Sequence, residues 1–98
     1  MKTDFLVVFE KGKTSFGAFA PDISGCFAVG PTLDETRRRY LEAVEAHLKW
    51  MAEDHDPIPH PVTKTFDFSR EEGEEAVVFS TEWLSIPMPA EARLAISA

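Results

Sequence analysis

The sequence predicts a single α+β domain: a three-stranded antiparallel meander, one long helix, then a further strand that completes the sheet. Three observations carry this. Short apolar runs punctuated by Gly and Pro fill residues 5–30, a capped segment with helical apolar spacing follows from Thr32, and a second β-rich run occupies residues 76–86. At 98 residues the chain has room for one hydrophobic core, and 44% hydrophobic with 28% charged residues is the composition of a folded domain.

Residues 5–9 (Phe-Leu-Val-Val-Phe) are an unbroken apolar run between charged ends and read as a buried first strand. Gly12 lies in a polar stretch suited to a tight hairpin. Residues 15–20 form the second strand, with Phe16 and Ala18 on one side and Phe19 on the other. Residues 21–25 are turn chemistry: Pro21 presets one dihedral, Asp22 caps its own backbone and Gly25 accepts positive φ. Residues 26–29 make a short third strand closed by Gly30 and Pro31.

Thr32-Leu33-Asp34-Glu35 matches a capping box, with Thr32 at the N-cap and Glu35 at the third helical position. Leu33, Tyr40, Leu41, Val44, Leu48 and Met51 recur at helical spacing and form one core-facing stripe, so the helix should run to about Glu53. Asp34 with Arg38, Glu35 with Arg39 and Glu45 with Lys49 stand at favourable i,i+4 separations. Trp50 falls about 120° off the stripe and either covers a sheet edge or is exposed to a partner. Pro57, Pro59 and Pro61 then forbid helix and favour an extended strap. Residues 63–68 read as an extended segment or a poor edge strand, 69–75 as an acidic loop and 76–86 as a strand stopped by Pro87 and Pro89. Residues 90–98 could form a short terminal helix.

Ten Lys and Arg against 17 Asp and Glu leave a net charge of −7. Nucleic-acid binding draws on counterion release by cations, so direct DNA or RNA binding is disfavoured and a basic protein partner fits better. The excess is densest over residues 62–98, with three basic and seven acidic residues. Arg37, Arg38 and Arg39 are the one basic run; they spread over about 200° of helix and form no focused patch. The single cysteine, Cys26, excludes an internal disulfide and a cysteine-rich zinc site, and reads as a small buried hydrophobe. Near the start the longest apolar run is five residues, too short for a signal core or a spanning helix. The expected location is the cytoplasm, away from membranes.

As an ordered set, these motifs resemble the HicB family of toxin–antitoxin antitoxins. Residues 19–30 (Phe-Ala-Pro-Asp-Ile-Ser-Gly-Cys-Phe-Ala-Val-Gly) resemble the family's turn and third strand, with Ile23-Ser24 where the family usually has Leu-Pro. Residues 32–36 are similar to its helix start, 42–48 to its helix middle and 57–59 to its proline strap. The motif residues are therefore Pro21, Asp22, Gly25, Cys26, Gly30, Thr32 and Glu35. They fall in an antitoxin core of residues 4–61, followed by an acidic loop and final strand (62–86) and a short tail (87–98). The resemblance implies a partial ribonuclease-H-like fold and a non-enzymatic function without cofactor: binding and sterically neutralising a small basic mRNA-cleaving toxin of HicA type. Full-length members typically add a DNA-binding domain, for which the 12 residues after Ile86 leave no room, so the short form is expected.

Candidate partner-binding residues are Glu71, Glu72, Glu74 and Glu75, the densest acidic patch, with Trp50 and Trp83, because Trp is enriched at interface hot spots. Exposed sheet edges favour a homodimer or homotetramer. Two other functions compete: a standalone protein- or ligand-binding module without a toxin, and a degenerate metal-dependent nuclease. The nuclease needs carboxylates converging on a divalent metal. Asp4, Glu10, Glu42, Glu45 and Glu82 are available, but the apolar run leaves none in the middle of the first strand. His47, His55 and His60, with Asp54 and Asp56, show no recognised ligand spacing, so no catalytic or metal residue is assigned.

Overall fold

A computed structural model describes residues 2–65 and 77–89. The apolar run lies in the middle of a ten-residue strand, β1 (Lys2–Lys11). It is followed by β2 (Phe16–Ala20), β3 (Ile23–Gly30), α1 (Leu33–Glu53) and β4 (Val77–Pro87). These strands form one antiparallel sheet in the order β3-β2-β1-β4, which is the meander, helix and completing strand that the sequence predicts. All five residues of the run are buried. Phe5, Val7 and Phe9 join Ala18, Ala28, Leu84 and Ile86 in the core under α1. Leu6 and Val8 point to the other face, opposite Trp83 and Thr81. A strand buried on both faces has no reason to alternate, which is why the run is continuous.

α1 covers β3 and β2 and barely reaches β4. Its buried row is Thr36, Tyr40, Val44, Leu48 and Ala52, flanked by half-buried Leu33, Leu41 and Met51. Thr36 is tolerated in that row because its hydroxyl donates to the Thr32 carbonyl at 2.7 Å. Thr32 is extended, and its Oγ1 accepts from the Glu35 N–H at 3.1 Å. Only this half of the capping box forms; the Glu35 carboxylate turns forward to Arg38 and Arg39. The helix ends in a Schellman arrangement: the His55 N–H donates to the Ala52 carbonyl at 3.1 Å and the Asp56 N–H to the Met51 carbonyl at 2.8 Å. His55 takes the left-handed position at φ 60.

Three local details depart from the sequence reading. The turn is Pro21-Asp22 alone, and β3 starts at Ile23 rather than Cys26. Ala18 pairs with Ala28 and Ala20 with Ile23, so two steps along β2 match five along β3. β3 therefore bulges, with Gly25 at φ 83 inside the irregular stretch. Asp22 does not cap its own turn: its carboxylate accepts from the Val62 N–H (2.9 Å), the Thr63 N–H (2.8 Å) and the Thr63 hydroxyl (2.7 Å). It pins the far end of the proline strap, whose Ile58 is buried in the core. Residues 63–65 lie outside any strand, in keeping with the extended-segment alternative. The acidic loop and the terminal helix fall outside the described residues.

Candidate functional site

The motif residues occupy separate places in the fold. Pro21 is exposed in the turn, and Asp22 holds the strap. Burial pushes the Asp22 carboxyl up, but the bonds from Thr63 and Val62 outweigh it and hold it below the ordinary carboxylate range. Gly30 lets the end of β3 approach α1: a Cβ there would stand 2.7 Å from Thr36 Oγ1 and 2.9 Å from the Thr36 backbone nitrogen. Cys26 is a buried core residue, and burial pushes its thiol up, the opposite of an activated nucleophile. The Glu35 carboxyl is held below its ordinary value by hydrogen bonds from Arg38 and Arg39.

Arg37 has a role that the sequence reading missed. Its guanidinium donates through Nε and Nη2 to both oxygens of Glu82 on β4, at 2.8 and 2.6 Å. It also reaches Asp34 at 2.7 Å and lies 5.5 Å from the centre of the Phe9 ring. Glu82 pairs across from Val7 on the helix face of the sheet, so this bridge ties α1 to the strand that its apolar face hardly touches. Asp34 therefore bonds Arg37 rather than Arg38, and among the described residues no ion pair joins Glu45 to Lys49. Glu82, one of the carboxylates a nuclease site would recruit, is committed to Arg37.

The two tryptophans are not brought together. Trp83 is 52% exposed on β4, on the face opposite α1. Trp50 is 67% exposed on α1, which settles its open alternative in favour of solvent. It borders a groove of about 300 Å³ between α1 and the outer strand β3. Ala43, Ala46 and His47 line the helix side, and Gly25, Cys26 and Phe27 line the strand side. Phe27, which the sequence reading passed over, is 56% exposed. Its ring is held in place against Gly17, where a Cβ would stand 2.9 Å from Phe27 Cζ. The same ring borders a smaller depression of about 120 Å³ beside Val29 on the outer face of the sheet. Of the exposed large hydrophobics among the described residues, Phe27 and Val29 thus stand on the outer face of β3 and Trp50 on α1. The β3 edge itself is guarded, by the bulge at Gly25 and by Arg39, which donates to the Val29 carbonyl at 2.9 Å. Side chains in the groove, rather than an added strand, are what this surface offers.

Glu71, Glu72, Glu74 and Glu75 lie outside the described residues. Among the described residues, no group of three or more His, Cys, Asp or Glu could hold a metal ion, and no helix is long and apolar enough to cross a membrane.

Comparison with known proteins finds a match to the family described as the HicB-like antitoxin of bacterial toxin–antitoxin systems over residues 5–83. An uncharacterized 14.9 kDa protein from the rep–hol intergenic region of Haemophilus phage HP1 is 34% identical over 53 residues, 54% of this chain and 40% of that protein. A UPF0150 protein of Synechocystis sp. is 30% identical over 57 residues, 57% of this chain and 72% of that protein. The match thus spans less than half the length of the phage relative. No solved structure matches the chain.

Proposed function

The chain belongs to the HicB-like antitoxin family of bacterial toxin–antitoxin systems, and from that premise we propose that it neutralises a small basic mRNA-cleaving toxin of HicA type by covering it. The observation that carries this reading is the reach of the family match. It spans the helix and part or all of each of the four strands, β4 as far as Trp83, rather than one motif. A net charge of −7 suits a basic partner that must be drawn in against its own attraction to RNA. Neutralisation by contact needs no bond made or broken by this chain. The acids of residues 71–75 and the exposed tryptophans are its proposed contacts, and a homodimer or homotetramer its proposed assembly.

Growth rescue tests the reading. Cells expressing the protein from the reading frame beside this one should stop growing, and co-expression of this chain should restore growth and co-purify with it. Continued arrest, with no complex recovered, overturns the antitoxin function.

A further inference from the structure

The groove between α1 and β3 is apolar at its floor and acidic around it. Residues 43–56 carry four acids (Glu45, Glu53, Asp54 and Asp56) and one cation, Lys49. Among the described residues, none of these five charges enters an ion pair. Glu53 stands three positions after Trp50, so it is a neighbour of the groove lining on the helix surface. The last turn of α1 has no basic residue, and Asp54 is its C-cap. Free carbonyls and the helix dipole already make a C-terminus negative, and cations normally offset this. Here acids add to it. Such a local conflict, at the end of a helix that is otherwise well paired, is where a binding partner would supply the missing charge.

We infer that the α1–β3 groove is the docking site of the basic toxin: an apolar side chain of the toxin seats beside Trp50 over Gly25 and Ala46, while its Lys or Arg side chains meet Glu53 and Asp54. This rests on the antitoxin reading. The groove has the anatomy of an interface core, with an exposed Trp at its rim and small residues, Gly25, Ala43 and Ala46, that leave room for the anchor.

The test uses the full chain and an inactivated form of the protein encoded by the adjoining short reading frame. Binding is measured by titration, and mass by sedimentation. Trp50→Ala and Glu53→Lys should each weaken binding by about tenfold or more. Glu53→Lys should also flatten the salt dependence. Ser85→Ala, exposed on the far strand β4 opposite Asp4, should bind within about twofold of wild type, as expected outside a hot spot. If the wild type binds and Trp50→Ala and Glu53→Lys bind equally well, the groove is not the site and the antitoxin reading stands. If the wild type does not bind at all, both fall. If Trp50→Ala turns a dimer into a monomer and leaves toxin affinity intact, the groove seats a second copy of this chain, which also overturns the proposal.

Discussion

The two halves of α1 are built for different ends. Residues 33–42 hold three acids and three arginines, and every one of these charges is in an ion pair, within the helix or to Glu82 on β4. Residues 43–56, the second half and the turn that follows it, hold four acids and one lysine, none in an ion pair among the described residues, beside an exposed Trp and an apolar groove. The N-terminal half also packs tightly on the end of β3, where a Cβ on Gly30 would meet the Thr36 backbone. The difference teaches that one helix can be optimised for folding along one stretch and left unsatisfied along the next. Unpaired charge and exposed aromatic surface are costs to a monomer, and they become gains in a complex.

The comparison can be broken most forcefully at Gly30. Its Cβ would meet Thr36 backbone as well as side chain, so no rotamer change relieves the clash. Gly30→Ala should cost about 3 kcal/mol and lower Tm by roughly 12–24 °C in a thermal melt. Asp22 comes next. Asp22→Ala frees the strap from three hydrogen bonds and should cost about 1–2 kcal/mol in a urea titration. The folded carboxyl sits below its ordinary value, so its contribution is complete above an unfolded pKa of about 3.9 and is lost as pH falls through the lower folded value. Wild type and variant melts should therefore converge in acid below that range. Arg37→Met removes the tie to β4; both partners are about a third exposed, so a loss of about 1 kcal/mol is expected. His55→Gly should raise stability by about 0.5–1 kcal/mol, because His55 holds a left-handed backbone at φ 60 that glycine adopts freely. A gain there would mark the C-terminal half as unoptimised for folding. Trp50→Ala should change stability by under about 0.5 kcal/mol, since the side chain is mostly solvated.

Much of the N-terminal half was legible in the sequence, because its signals are local. Thr32 and Glu35 stand three apart, and the apolar stripe keeps helical spacing within a few turns. Gly30 and Asp22 were legible as motif positions but not as mechanisms. Their reasons lie in Thr36 packed against one and in Thr63, 41 residues away, bonded to the other. Arg37 was hidden inside a run of three arginines, since only the sheet order shows that Glu82, 45 residues on, sits within its reach. The groove was half legible. Trp50 stands out as off the stripe, whereas Phe27 reads as an ordinary strand residue until strict alternation from buried Cys26 turns it outward. The β3 bulge was misread as a longer turn because Gly25 satisfies either.

The central claim is that holding the fold and holding the partner are separate tasks of the two halves of α1. Melting temperature and toxin affinity, measured together on Arg37→Met and Trp50→Ala, test it most directly. The account predicts a double dissociation: Arg37→Met melts lower and binds as wild type does, while Trp50→Ala melts as wild type does and binds about tenfold more weakly. If both variants shift both quantities, or if Trp50→Ala lowers the melting temperature and spares affinity, the division is contradicted.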